Sequence, residues 1–305
     1  MLSYILRRCF YAIFVLFGVA TVVFFITRLT GDPVSIMLPP DASVQQEQDL
    51  RHALGFDKPL LEQYGIYILH LLQLDLGTSL RYGEPIYRLI LERMPATLQL
   101  AGAALLFSLI IAIPAGIIAA LKRGTAIEKG VVSFVVIGQS VPVFWVGMLL
   151  VLLFAVKLKI LPTGGIGGLS HLILPAIALG IHLLALVTRL LRASLSDALG
   201  SDYVRTARAK GLLPGKVVAK HALRNSLLPV VTIVGLEIGS LLGGSVVTET
   251  VFAWPGVGQL LVQSIYNRDY PLVQGAIIIL AGIFVLVNLI VDICYAAIDP
   301  RIQYK

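Results

Sequence analysis

Cysteine is almost missing from this chain. Cys9 and Cys294 are the only two in 305 residues, and each lies in or at the edge of an apolar run. Neither their number nor their spacing supports a disulfide framework or a zinc site. Charge is scarce as well. Asp, Glu, Lys and Arg make up 13% of the residues, where a soluble domain carries about 25%. Five histidines, at 52, 70, 171, 182 and 221, are scattered over different segments without metal-ligand spacing. A P-loop is missing too. GLLPGKV at 211–217 has three residues between its glycines instead of four, and valine follows the lysine. Such a stretch cannot cradle a phosphate and place a hydroxyl on its metal. GGIGGLSH at 164–171 lacks the G-x-S-x-G elbow of a serine nucleophile and reads as a flexible connection. Disulfide-stapled scaffolds, metalloenzymes, nucleotide hydrolases and serine hydrolases are thereby disfavoured.

What the chain has is apolar length. Hydrophobic residues make up 57% of it, in recurring runs of some twenty. A helix needs about 20 such residues to cross a hydrocarbon core of ~30 Å. Six spans are expected, at 9–27, 97–121, 131–156, 172–188, 227–247 and 272–298, giving an all-α membrane protein. The first run is longer than an ordinary signal-peptide core and no small-x-small site follows it, so it is expected to be retained.

The formal charge of +7 fits a membrane orientation signal better than nucleic-acid binding, because Lys and Arg collect on the cytoplasmic side. With the N-terminus inside, segments 1–8, 122–130, 189–226 and 299–305 hold 15 basic residues. The short outer segments 157–171 and 248–271 hold 3. Both termini are therefore expected in the cytoplasm, around a core of five spans over 97–298.

The long outer segment 28–96 carries 6 basic and 9 acidic residues. Asp41 or Ser43 is expected to cap a helix that Gly55 stops, and Pro59 to open a second one. Leu60, Leu61, Tyr64, Ile68, Leu71 and Leu72 form an apolar stripe on it, which reads as a surface helix rather than a solvated linker. Farther along, TETVFAWPGVGQLLVQSIYNRDYP places Phe252 and Trp254 beside a Pro255-Gly256 turn. A short helix over 257–266 is expected to dip toward the membrane, which is tolerated only under cover of protein or a water-filled cavity.

The cytoplasmic segment 189–226 is the puzzle. Other inner connections manage with about nine residues; this one takes 38. Between Tyr203 and Pro229 it holds six Lys or Arg, a histidine and no acid. Orientation explains the sign of that charge but not the length. Ser201 or Asp202 caps a helix through Lys210, Gly211 ends it, and Pro214 opens a second helix to about Ser226. A small-residue face beside a sharp turn suits close packing into a groove of another protein. A basic amphipathic helix lying on anionic lipid suits the same residues.

Polar groups inside the spans are few. Glu237 and Ser240 fall in the fifth, Gln139 in the third, and Asn288 and Asp292 on one face of the sixth. Charges in a bilayer normally face a bundle interior or a cavity. Glu237 is expected either on a translocation path or in a structural hydrogen bond, and Asp292 in a structural pair. The small residues of GLEIGSLLGGS at 235–245 make the fifth span a candidate for close contact with a helix of a second membrane chain.

The stretch RTARAKGL with HALRN and LLPV resembles the coupling motif of permease subunits in bacterial ATP-binding-cassette importers, in the dipeptide, oligopeptide, glutathione and nickel branch. The resemblance covers the whole chain. It runs through LRR at the start, TGDP at 30–33, LDLGTS at 74–79 and HLILPAIALG at 171–180. FAWPGVG at 252–258, RDYP at 268–271 and NLIVDICYAAIDPRI at 288–302 complete it. The broader permease motif opens Glu-Ala-Ala; here those positions are Arg205, Thr206 and Ala207, a change this branch commonly shows.

The resemblance implies a type I importer permease fold with six transmembrane helices, outer surface helices and a cytoplasmic coupling helix. It implies that Tyr203, Arg205, Thr206, Ala207, Arg208, Ala209, Lys210, Gly211 and Leu212, with His221, Arg224 and Asn225, contact a cytoplasmic ATPase. Gln139, Glu237, Ser240 and Asn288 become candidates for the path. Phe252, Trp254, Pro255, Gly256, Arg268 and Asp269 become candidates for an outer gate or a binding-protein contact. The implied partners are a second homologous permease, two ATPases, an extracytoplasmic solute-binding protein and membrane lipid. ATP and Mg would be held by the ATPases, with no cofactor or metal on this chain. Peptides are the favoured substrate, with glutathione or a nickel chelate as alternatives within the branch. An ion-coupled secondary carrier with Glu237 as coupling acid is the rival class. It is disfavoured by the lack of a visible repeat and by the long cytoplasmic loop.

Overall fold

The computed structural model describes residues 2–29, 34, 43–53 and 55–298. Asp41, the TGDP stretch and the DPRI end lie outside the described residues. Among the described residues the regular structure is helical. In chain order the helices are α1 (Leu2–Leu29), α2 (Val44–Ala53), α3 (Leu60–Leu72), α4 (Ile86–Leu121), α5 (Ala126–Ser140) and α6 (Val143–Leu150). They continue with α7 (Leu169–Gly200), α8 (Asp202–Ala209), α9 (Leu223–Val251), α10 (Val257–Tyr266) and α11 (Tyr270–Ile298). Five are long and apolar enough to cross a membrane, and six crossings result if the bent α5–α6 pair counts as one span.

That pair corrects the expectation of a single span over 131–156. The two helices meet at 104°. The cause is local: Pro142 excludes helical geometry from the residue before it, and Val141 is extended at φ −95°, ψ 133°. Pro142 then caps the start of α6, which runs on through a π-helical segment, Val151–Lys157. One other bound also moves: α7 continues twelve residues past the expected end at 188. The helix opened by Pro214 runs through a π-helical turn, Val217–Ala222, directly into α9, so it leads into the fifth span.

The outer segment obeys its caps. Ser43 Oγ accepts the Gln46 N–H at 3.2 Å while Gln46 Oε1 accepts the Ser43 N–H at 2.9 Å, a reciprocal capping box opening α2. Beyond α2, Gly55 adopts φ +69° and the chain turns toward α3. Tyr64 and Tyr67 of α3 stack on Phe25 and Phe24 of α1. The apolar stripe is thus covered in part by the first span.

The core is formed by α4, α7 and α9 around Leu100, Ala104, Leu183, Leu184, Leu191, Val230 and Leu241, with Trp254 at one end. Gly180 permits the close approach of α4 and α7. A Cβ there would sit 2.7 Å from the Ala104 carbonyl oxygen, a contact no other residue allows. The helices sort the connections into two ends. One, the α8 end, gathers the α4–α5 turn and residues 201–222. The other, the α10 end, gathers the turn before α4, the loop before α7 and residues 252–269.

Candidate functional site

At the α8 end the coupling candidates form a two-faced helix. Val204 and Ala207 are buried, with Ala120 of α4, Leu195 of α7, and Val217 and Ala222 of the following turn; Leu212 packs partly against the same cluster. Ala207 is 6% exposed. Ala207 therefore faces its own subunit, while half-buried Leu212 touches the same cluster and keeps part of its surface open. The outward face consists of Tyr203, Arg205, Thr206, Arg208, Ala209, Lys210 and Gly211, with Arg224 and Asn225 exposed beyond the turn and His221 half-buried. Leu213, 75% exposed, joins this face and had not been expected there. Gly211 turns the chain at φ +75°, donating its N–H to the Arg208 carbonyl at 2.9 Å, and Pro214 begins the next helix. Asp202 is the acid on this helix, and its 3.5 Å contact with Arg205 is a surface pair worth little. The result is a cationic ridge with apolar points, anchored on three spans.

Nearby, Glu128 in the first turn of α5 is 6% exposed. It accepts the Gly124 N–H at 2.5 Å and Arg192 Nε of α7 at 2.7 Å. This pair fixes the foot of the bent helix to α7.

The α10 end is built around two buried carboxylates. Glu249, in the last turn of α9, is fully buried. It accepts Thr97 Oγ1 of α4 at 2.8 Å and the Gln259 N–H in the first turn of α10 at 3.0 Å. Thr97 Oγ1 in turn accepts the Val257 N–H at 2.8 Å. The site uses a carboxylate where a helix presents free N–H groups and positive partial charge. Gly258 lies so close to α9 that a Cβ would sit 2.5 Å from Val246 Cα. Trp254 donates its indole N–H to the Ala96 carbonyl at 2.8 Å.

Asp269 is the second carboxylate, 1% exposed. It caps α11 through the Leu272 N–H at 3.3 Å, and it accepts Ser79 Oγ at 2.5 Å with the Leu80 and Arg81 N–H groups at 3.2 Å each. LDLGTS and RDYP, far apart in sequence, are two halves of one joint. Of the outer-side candidates, Phe252, Trp254, Gly256 and Asp269 are buried within their own subunit and offer no surface to a docked protein. Within the subunit, Phe252, Trp254 and Gly256 pack at the start of α10, and Asp269 ties the turn before α4 to α11. Arg268 is exposed and Pro255 half-buried. Sequence reading missed Glu249, Thr97 and Ser79; the available signal was an acid beside FAWPGVG with glycines where a buried side chain needs room.

The path candidates are not brought together. Gln139 is half-buried at the end of α5, three residues before Pro142. Glu237 is half-buried on α9, aligned with Val230, Val234 and Leu241, which pack toward α7. Ser240 is exposed on the same helix. Asn288 of α11 lies beside Gly239 of α9, where a Cβ would sit 3.3 Å from its Nδ2. Its Nδ2 donates to the Phe284 carbonyl at 2.9 Å, and it lines a cavity of about 260 Å³ between α1 and α11 with Arg8 and Asp292. Arg8 and Asp292 form an ion pair at 2.9 Å, the structural pairing expected for that aspartate. The small-residue face of α9 is also redirected. A Cβ on Gly235 would sit 2.6 Å from Val291, and one on Gly239 2.9 Å from Phe284. These two glycines serve the chain's own α11, while Ser240 and Gly243 of the same stretch remain exposed.

Comparison with known proteins agrees with this architecture. Residues 112–304 match the family described as binding-protein-dependent transport system inner membrane component, and residues 1–101 match its N-terminal counterpart. A di/tripeptide transport system permease protein DppB of Pseudomonas aeruginosa is 42% identical over 335 residues, covering all of both chains. The dipeptide permease DppB of Escherichia coli K12 is 39% identical over 338 residues, again with full coverage of both. The glutathione transport system permease protein GsiC of the same strain is 44% identical over 306 residues, also with full coverage. Among solved structures, a chain of the MetNI methionine ABC transporter superposes with a TM-score of 0.59 at 19% identity, covering 69% of this chain and 96% of that one. A chain of an amino acid ABC transporter gives 0.51 at 18% identity, covering 71% and 95%. The fold is thus the type I importer permease fold. A family match over nearly its full length, with full-length relatives near 40% identity, places this chain in the family of binding-protein-dependent transport system inner membrane components.

Proposed function

We propose that the chain is the membrane-spanning permease of an ATP-driven importer, most suited to di- and oligopeptides, and that it does no covalent chemistry itself. The observation that carries this reading is the α8 ridge, basic outside and welded inside to α4, α7 and α9. A soluble ATPase gripping that ridge would move three spans at once. In this reading the α8 end and both termini face the cytoplasm, and the α10 end faces an extracytoplasmic solute-binding protein. One such protein, a second homologous permease and two ATPases complete the assembly. ATP and Mg belong to the ATPases. The full-length likeness to dipeptide permeases supports a peptide substrate. The slightly higher identity to the glutathione permease keeps glutathione, itself a tripeptide, as the second reading.

Co-purification of the tagged chain from its own host, followed by calorimetry on the solute-binding protein that accompanies it, tests both levels. Two ATPase chains and a binding protein with high affinity for short peptides are expected. A binding protein that takes a nickel chelate and no peptide would overturn the substrate while sparing the permease. Uptake that proceeds in vesicles without any ATPase would overturn the permease itself.

A further inference from the structure

α7 keeps one face uncovered by its own subunit, and that face carries a charge. His182 and Ala193 are exposed, and Leu186 and Arg189 half-buried, at i, i+4, i+7 and i+11 spacing along one stripe. The opposite face is closed by α4, which approaches at Gly180 and Gly116. One flank is closed by α5, through Arg192 with Glu128 and Gly138 against Ile181. The other flank is closed by α9. The stripe is therefore the floor of a groove walled by α5 and α9.

Glu237 stands at the rim of that groove on the α9 side, with exposed Ser240 three residues on. The register between α7 and α9 is set by two contacts. Ser226 Oγ donates to the Ser194 carbonyl at 3.2 Å, and Gly244 lies beside Leu179 Cδ1. The helices run antiparallel, so Arg189 stands opposite residues 231–234. Glu237 is three to six residues farther toward the α10 end, roughly 5–9 Å along the axis. Arg189 and Glu237 make no ion pair with each other, and neither is bonded to another described side chain. Isolated charges of opposite sign on a groove between spans are costly unless water or a polar solute meets them.

From this geometry we infer that Arg189 and Glu237 are the solute-reading groups of the path, Arg189 receiving a free carboxylate and Glu237 a free ammonium group. This rests on the permease reading above, with its second homologous permease placed over the groove as a roof. An arginine presents a planar fork matched to a carboxylate, which a lysine does not. In an extended dipeptide the terminal nitrogen and carboxyl carbon are about 6 Å apart, and in a tripeptide about 9 Å, from standard backbone dimensions. With about 8–10 Å between the axes of packed helices added to the axial offset, the anchor points lie about 9–13 Å apart, and the two long side chains reach inward from them to termini so spaced. The solute class is thus a zwitterion of short-peptide length. Sequence reading overlooked Arg189 because it ended the fourth span at 188.

The test uses the whole transporter with its binding protein, reconstituted in vesicles, with a free-ended dipeptide such as alanyl-alanine as probe. Uptake per ATP hydrolysed is measured for wild type, Arg189→Gln, Arg189→Lys and Glu237→Gln. Both neutralising variants are expected to lower that ratio by about tenfold or more, the scale of a lost charged hydrogen bond. Arg189→Lys is expected to fall between wild type and Arg189→Gln. Ratios within about twofold of wild type for both neutralising variants, a difference too small for a lost charged contact, would overturn the inference. So would loss of the second permease on purifying Arg189→Gln, since that would make the arginine an interface residue. Absence of any ATP-dependent uptake by wild type would instead fell the permease reading on which the inference stands.

Discussion

Replacing Glu249 with alanine should release α10 from the rest of the α10 end. The carboxylate is fully buried and satisfies the Thr97 hydroxyl at 2.8 Å and the Gln259 N–H at 3.0 Å. Alanine leaves both donors buried without an acceptor, at about 1–3 kcal/mol each. It also removes a negative charge from a helix N-terminus, worth about 0.3–1 kcal/mol. The total is about 2–7 kcal/mol. Glu249→Gln keeps one acceptor oxygen and should cost less, about 1–3 kcal/mol. Trp254 reports the event directly, because its indole N–H is bound to the Ala96 carbonyl beside Thr97. The chain has one other tryptophan, Trp145, 47% exposed. In a Trp145→Phe background the emission of Trp254 follows the joint alone. At about 2 °C per kcal/mol for a chain of this size, the thermal midpoint read by that emission should fall by about 4–14 °C for Glu249→Ala. Glu249→Gln should lie between it and the parent, and the emission should shift to longer wavelength as water reaches the indole. An unshifted emission maximum together with an unchanged midpoint in Glu249→Ala would refute the reasoning.

The coupling helix yields a paired prediction. Ala207→Trp forces a large ring into the buried cluster with Leu195 and Val217 and should destabilise the subunit by about 1–3 kcal/mol or more, seen as loss of folded protein in detergent. Ala209→Trp, on the exposed face, should leave folding intact and abolish co-purification of the ATPases; retention of the ATPases would remove Ala209 from the contact. Orientation is tested by cysteine labelling of intact cells after Cys9 and Cys294 are replaced. An impermeant reagent should reach a cysteine at Gln45 and miss one at Lys216, and the reverse pattern would invert the topology.

The elements that sequence made legible were those set by strong local chemistry. Gly211 and Pro214 bracket the elbow after α8, and Pro255-Gly256 sets the start of α10; both were placed from residue type alone. Pro142 carries an equally strong signal, yet a continuous apolar run across it argued for one helix. The backbone followed the proline: Val141 is extended, and the run became two helices. Composition reported that these residues avoid water; it did not report that they form one rod. The end of α7 failed in the opposite way. Arg189 and Arg192 look like the close of an apolar span, but a helix continues through charges when they have somewhere to go. Arg192 goes to Glu128, and the open stripe accommodates Arg189.

The harder lesson concerns small residues. Ala207 and the glycines of α9 announce that something comes close, and in each case the visitor was taken to be another chain. For three of them the visitor is the same chain, Leu195 and Val217 for Ala207, Val291 and Phe284 for Gly235 and Gly239, while Gly243 keeps an open face. A sequence specifies the clearance of a face but not the identity of what fills it, because the filler comes from a helix 50 residues away as readily as from a partner. Glu249 shows the same limit for polar groups, since Thr97 is 152 residues distant in sequence. The consequence reaches function. Inward-facing small residues pack α8 against α4, α7 and the turn before α9, and at the other end Glu249 ties α10 to α4 and α9 while Asp269 ties the turn before α4 to α11. In the proposed reading, a force applied to the exposed cations of α8 would be carried by packed helices toward the α10 end. In that reading, steric closeness is what would make the coupling mechanical.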